Sequence, residues 1–394
     1  MELLPWEIVL DILSRLPIPS LVQSKSVCRA WHSLIQDPVL VNKHFWRTVE
    51  NDPGLILQTD HPVKNQLYFG DFSTDRNDGN LITTKLSMPP LLNLHLVSSC
   101  NGLLCLRASS VSFGLCIYNP FTRDYTELPK LTKPRCHGGL LGFGFDPTTK
   151  EYKVIVKSYD RRPFRPFYVA GSTLLRPQVA ASTSIEAAVH ILTIGNPTWR
   201  NLGNLPFHLR LQRSQVLVNG KLHWVSYRNR YKATNPIISF DLTTEQFQEV
   251  PRPDCINMAR RSAQLVVLRG CLAAASYQDD SEQLEIWVMT EYSVKESWVK
   301  EFSIGTHVPQ ILQQNGCGSF NHPRLFLSKK CIRVLCLLRS GKILLEYKNK
   351  ALVLYDPHCG TFKDLQLKFQ GIQKCFKVVV HVASLNWIDS FLNT

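Results

Sequence analysis

The sequence predicts an α+β chain, with a small N-terminal three-helix unit followed by an all-β propeller of about six blades. Three observations predict it. Residues 1–48 carry helix-spaced apolar residues punctuated by proline. From about residue 95 the pattern changes to short apolar runs broken by Gly, Asn-Pro and Asp-Pro. In that second part a strand-and-turn unit recurs at intervals of 48 and 47 residues, near the period of one four-stranded blade. The expected division is 1–48 helical and 49–394 β. A composition of 44% hydrophobic and 19% charged residues suits a globular chain of this length.

The first helix is expected between Trp6 and Leu16, where Trp6, Ile8, Val9, Leu10, Ile12, Leu13 and Leu16 are all large and apolar. Glu7, Asp11 and Arg15 recur every fourth residue and fall on one narrow stripe. A surface helix needs a single apolar face, so most of this circumference asks for a partner. Leu16-Pro17-Ile18-Pro19 stops that helix, and Ser20-Leu21-Val22-Gln23 reads as a capping box opening the next. Val27–Ile35 continues or restarts it, and Asp37-Pro38 reads as the cap and first turn of another. Helices this short cannot bury so much apolar surface among themselves.

In the β part a cue of apolar, polar, apolar is followed by an aromatic. It is seen at Tyr118-Asn119-Pro120 with Tyr125, Leu192-Thr193-Ile194 with Trp199, Phe240-Asp241-Leu242 with Phe247, and Tyr355-Asp356-Pro357 with Phe362. Ile286-Trp287-Val288-Met289 with Trp298 is a looser copy. Glycines at 102, 220, 270 and 341 precede apolar strands. Each unit therefore reads as four strands, and five are visible, two of the intervals being lengthened to 74 and 68 residues by insertions. Such a blade cannot bury its faces singly. The runs Leu55–Gln58 and Gln66–Phe69 at one end and Phe376–Val382 at the other combine into a sixth blade that closes the ring. The aromatics are expected to pack between blades.

Chemistry is sparse. Gly138-Gly139 with Gly142 and Gly144 lacks the Lys-Ser/Thr of a phosphate loop and reads as turn or close-packing glycine. His190 and His223 lie in β runs, where a satisfied structural histidine is expected. The carboxylates Asp279, Asp280, Glu282 and Glu285 read as a solvated cluster. Twelve cysteines show no CxxC pair, several within apolar runs, so reduced buried thiols are expected rather than disulfides or a metal site. The N-terminus lacks the features of a signal peptide, and no run suits a membrane span. The expectations are no catalytic residues, no cofactor, no membrane association, and a place in the cytoplasm or nucleus.

The net charge of +14 is unevenly placed. Residues 130–261 hold 20 Lys+Arg against 8 Asp+Glu, so most of the excess lies in the middle third. Within it, Arg161, Arg162 and Arg165 fall in the loop after the second strand of the second visible unit. Arg228, Arg230 and Tyr231 hold the same position in the third. These loops are expected side by side, forming a target-binding surface for an acidic or phosphorylated protein segment.

The N-terminal pattern resembles a known family. Leu4-Pro5, Glu7-Ile8, Ile12-Leu13, Leu16-Pro17, Leu21, Val27-Cys28-Arg29, Trp31 and Leu34 resemble the F-box, position by position. The resemblance implies that Leu4, Pro5, Ile8, Ile12, Leu13, Leu16, Pro17, Leu21, Val27, Cys28 and Trp31 dock a Skp-type adaptor, and through it cullin and a RING protein. Ser99–Leu104, Gly142–Val154 and Ile286–Met289 with Glu296-Ser297-Trp298 are similar to the F-box-associated, kelch-like domain of plant F-box proteins. The kelch double glycine is absent. The resemblance implies a substrate receptor of an SCF ubiquitin ligase, a non-catalytic subunit holding an unknown protein target. The other readings are a non-ligase basic propeller binding nucleic acid or an acidic ligand, and a propeller enzyme. Nucleic acid is disfavoured by the F-box spacing, and an enzyme by the lack of clustered His, Tyr and Cys ligands.

Overall fold

The computed structural model describes residues 5–59, 65–72, 81–91, 93–108, 114–131, 137–159, 187–207, 209, 215–226, 236–254, 263–278, 282–305, 307, 309, 332–365 and 375–386. Four helices open the chain, where three were expected: α1 (Trp6–Leu13), α2 (Ile18–Ser24), α3 (Arg29–Ile35) and α4 (Pro38–Val49). The extra helix comes from the turn at Lys25–Val27, which separates α2 from α3. Ser20 is not a cap, because α2 already begins at Ile18, with Pro17 as its N-cap. Pro19 sits in the first turn, where a missing N–H costs nothing. Asp37 does cap α4, its carboxylate accepting from the Val39 N–H at 2.7 Å.

The remainder forms six four-stranded antiparallel sheets. The first combines β1 (Gly54–Thr59), β2 (Gln66–Asp71) and β3 (Ile82–Leu86) with β24 (Phe376–His381) from the other end of the chain. Then come β4 (Leu94–Cys100) to β7 (Tyr125–Glu127), and β8 (His137–Asp146), β9 (Glu151–Tyr159), β10 (Ala187–Thr193) and β11 (Arg200–Asn204). The fourth holds β12 (Leu217–Val218), β13 (Lys221–Val225), β14 (Ile237–Asp241) and β15 (Phe247–Val250). The last two run from β16 (Gln264–Leu268) to β19 (Trp298–Ile304) and from β20 (Ile332–Leu337) to β23 (Thr361–Leu365). First strands of neighbouring sheets approach one another, β24 to β4, β4 to β8, β16 to β20 and β20 to β24, and so surround the axis. The architecture is a six-bladed propeller. Both chain ends complete the first blade, with Leu55 opposite Val380 and Ile56 opposite Val379, which removes the open edges a single ribbon would leave.

The recurring cue forms one turn several times. At the end of a strand, Asn119, Asp146 or Asp241 accepts from backbone N–H groups two and three residues on, at 2.8–3.5 Å. Asp356 accepts from the His358 N–H at 3.0 Å in the same way. Most of the expected aromatics pack between blades, whereas Tyr125 is exposed. Trp199 donates to the Pro129 carbonyl of the blade before it at 2.7 Å, Phe247 meets Phe207 edge-on, and Phe362 stacks on His307 at 4.5 Å. The glycines of β8 serve close packing: a Cβ on Gly142 would stand 2.5 Å from Leu222 Cδ1, and one on Gly144 2.7 Å from Leu242 Cδ1.

The ring has two unlike ends. Connections from first to second and from third to fourth strands leave at the turn end. The Asn101-Gly102 and Asn219-Gly220 hairpins are there, with φ positive at both residues. Connections from second to third strands, and from blade to blade, leave at the opposite, loop end. The helices stand on the turn end, where α-helical core residues such as Leu10, Leu21 and Leu40 share a cluster with Phe69, Phe121, Ala383 and Leu385. The Asp52 carboxylate accepts from the Arg339 N–H at 2.5 Å at the same end.

Candidate functional site

In α1 the apolar residues divide between two destinations. Val9, Leu10 and Leu13 are buried and pack with Ile18, Leu21, Leu34 and Leu40 into a core shared by the four helices. Trp6, Ile8 and Ile12 face solvent at 51%, 46% and 49% exposure. Val27, between α2 and α3, is 67% exposed. Their neighbours Pro5, Pro17 and Cys28 are exposed as well, while Leu16 and Trp31 are half-buried against the helical core. Of the residues expected to dock an adaptor, then, Pro5, Ile8, Ile12, Pro17, Val27 and Cys28 lie open. Leu13 at 2% and Leu21 at 0% do not; their side chains fill the helical core. Leu4 lies outside the described residues.

Sequence reasoning missed a second set of exposed apolar side chains. Val39, Trp46 and Val49 of α4 are exposed and repeat at helical spacing along one side. A single aromatic or valine on a short helix gives no sign of which way it points, so periodicity alone did not separate them from core.

Asp11 fixes α1 on α4. Its carboxylate meets Arg47 at 2.5 Å, Arg15 at 2.8 Å and Lys43 at 3.0 Å, and Arg47 also donates to the Asp11 carbonyl at 3.0 Å. The Lys43 ammonium, followed by the Arg47 guanidinium, holds the Asp11 carboxyl well below the usual carboxylate range. The second fastening is His44, whose Nε2 lies 3.0 Å from the Leu16 carbonyl. Burial lowers its pKa. Together they set the angle at which Ile8 and Ile12 are presented.

The predicted target-binding residues Arg161, Arg162, Arg165, Arg228, Arg230 and Tyr231 lie outside the described residues. The strands flanking them are described: β9 and β10 for the first group, β13 and β14 for the second. These are second and third strands of adjacent blades, and the two blades are packed together, with Trp224 Nε1 donating to the Leu141 carbonyl at 3.1 Å.

The histidines flagged in the sequence are structural. His190 Nε2 is 2.9 Å from Ser158 Oγ, and His223 Nε2 is 2.8 Å from the Tyr292 hydroxyl. Cys105, Cys116 and Cys336 are buried free thiols, and burial pushes Cys116 and Cys336 up to about 12. Among the described residues, no group of three or more His, Cys, Asp or Glu side chains is placed to hold a metal ion.

Comparison with known proteins fits this arrangement. Residues 1–48 match the F-box-like family, and residues 61–317 match the F-box associated beta propeller domain. The F-box protein At3g07870 of Arabidopsis thaliana is 39% identical, the alignment covering 100% of this chain and 94% of that protein. F-box protein CPR1 and F-box/kelch-repeat protein At3g23880, also from Arabidopsis thaliana, are each 26% identical. Those two alignments cover 93% and 88% of this chain, and 85% and 88% of the relatives.

Proposed function

Because the chain belongs to the plant F-box proteins that carry an F-box-associated β-propeller domain, we propose that it is the substrate-recognition subunit of an SCF E3 ubiquitin ligase. Its helices dock a Skp-type adaptor, and through it cullin and a RING protein, while the propeller captures protein targets. The chain itself carries no reaction. It raises the effective concentration of a target lysine near a charged conjugating enzyme and lowers the entropic cost of their encounter. Such a complex would operate in the cytoplasm or nucleus.

The observation that carries this reading is the open apolar set Ile8, Ile12 and Val27, presented by an otherwise well-packed helical unit. Large apolar side chains left open on a small helical unit mark a binding face. Covering an Ile side chain at an interface is worth roughly 1.5–3 kcal/mol. The test is the affinity of the full chain for a Skp-type adaptor. Replacing Ile8 and Ile12 together by Ala should weaken it more than about tenfold. Undiminished adaptor capture by that variant would refute the assignment.

A further inference from the structure

The segment that follows β24, Ala383–Asn386, alternates between two partners. Ala383 and Leu385 are 9% and 0% exposed and belong to the apolar cluster of the helices, with Leu10, Leu21 and Leu40. Ser384 and Asn386 bond to the propeller instead. Ser384 Oγ donates to the Asn101 carbonyl at 3.0 Å, and Asn386 Nδ2 donates to the same carbonyl at 2.8 Å. From the ring side, Asn119 Nδ2 donates to the carbonyls of Ser384 at 3.1 Å and Asn386 at 2.8 Å. Apolar side chains thus meet the helices and polar ones the blade, at the period of two that an extended chain imposes.

Asn119 differs from its counterparts in a way that only this segment explains. It ends the third strand of its blade, as Asp241 and Asp356 end theirs. All three accept backbone N–H groups through one side-chain oxygen. The second carboxylate oxygen of Asp241 lies 2.9 Å from the Lys221 ammonium, and that of Asp356 lies 3.6 Å from Lys342. Each of those lysines follows the hairpin glycine, Gly220 or Gly341. After Gly102 stands Leu103, which offers no cation. The second atom of residue 119 faces two carbonyls instead, and these require a donor. An amide is the side chain of that shape that accepts on one side and donates on the other. Asn119 is wholly buried, so an unmatched atom there would be costly.

We infer that Ala383–Asn386 is a strap that locks the helical unit onto the propeller, with Asn119 as its positioning residue. Chain continuity alone gives a single attachment, residues 50–53 between α4 and β1. One short tether leaves a hinge about which the helices can swing. The strap adds a second attachment from the other end of the chain. It inserts Leu385 among the helices while its carbonyls are held by the ring, so the two parts move as one body. What this does for function rests on the receptor reading above. A rigid junction holds the adaptor and a captured target at one separation, which preserves the entropic gain of bringing them together. The helical unit thereby depends on residues more than three hundred positions away in sequence.

The experiment measures the distribution of distances between two spin labels on the full chain, carried by unnatural amino acids at the exposed positions Gln36 in the helical unit and Val299 in the propeller. Asn119→Asp keeps the oxygen that caps the turn and loses both donors to the strap. Leu385→Ala keeps those bonds and loosens the grip on the helices. Asp241→Asn makes the reverse exchange at the matching turn of another blade. A narrow distribution is expected for the unaltered chain, widening at least about twofold in Asn119→Asp and in Leu385→Ala but not in Asp241→Asn. Should Asn119→Asp fail to fold, Leu385→Ala decides alone. A broad distribution in the unaltered chain, an unchanged width in the strap variants, or equal widening in Asp241→Asn overturns the inference. Affinity for a Skp-type adaptor, measured on the same samples, separates the two readings. Its absence in the unaltered chain strikes the receptor role and leaves the strap standing, whereas adaptor binding with unchanged widths strikes the strap alone.

Discussion

The indole N–H of Trp298 donates to the Pro251 carbonyl at 3.0 Å, tying the outer strand of one blade to the segment leaving the blade before it. Trp199 and Pro129 repeat the arrangement at 2.7 Å, two blades earlier in the ring. In both cases a mostly buried ring covers the seam while its polar edge satisfies a carbonyl that no strand reaches. Trp298→Phe removes the donor and part of the ring together. The expected loss is about 1–3 kcal/mol, read as a lower urea midpoint with an unchanged slope.

The ring closure makes a second prediction. Removing the residues after Gly371 deletes β24, leaving Leu55–Thr59 of β1 without their partner strand. Aggregation rather than a trimmed but cooperative fold should follow. A subtler test is Gly102→Ala. Gly102 has a φ of +83°, and a Cβ there would lie 1.9 Å from Ser384 Oγ. The substitution should displace the tail that carries Ala383 and Leu385 beneath the helices, and increase proteolysis there before global unfolding.

Buried histidines predict how stability varies with pH. Burial pulls His381 down to about 3 and His223 to about 4, whereas both titrate near 6.5 when unfolded. Both are neutral in either state above that value, so their contribution is complete there. As pH falls from 6.5 towards 3, the unfolded chain takes up protons that the folded chain refuses. Stability should then drop by about 1.4 kcal/mol per pH unit for each ring, His223 levelling off first. His381 stacks with Phe121 at 5.9 Å, and His381→Phe should keep that packing while flattening the slope. Urea melts between neutral and mildly acidic pH measure it; an unchanged slope would rule the ring out.

Asp11 has the same sign in a lower pH window. Three cations depress its pKa, so its contribution is present above the usual carboxylate range and disappears only as pH falls through the lowered folded value. Asp11→Asn should lower the thermal midpoint at neutral pH and low salt. The difference should shrink in high salt, because the cluster is open to solvent.

The propeller was legible in the sequence because its turns impose side chains. Asn119, Asp241 and Asp356 must each accept from the backbone at a strand end, and after Asp241 and Asp356 an aromatic follows that packs across the seam. That signal survives variable connections. The partners of the aromatics were not legible, since Pro129 and Trp199 are seventy residues apart and joined only by the ring. The helical unit was legible in outline. Its details failed where one residue type serves two roles: Pro17 and Pro19 read as a stop yet begin α2. Leu13 and Leu21 read as interface yet fill the core. With almost the whole circumference of α1 apolar, only the packing of α4 decides which side remains open.

The most direct test of the receptor assignment is hydrogen exchange of the full chain with and without a Skp-type adaptor. Slowed exchange of backbone amides in α1 and around Val27 is expected, with the blades away from the helices unchanged. Binding that leaves α1 and the Val27 turn unprotected, or that protects the loop end of the propeller instead, would contradict it.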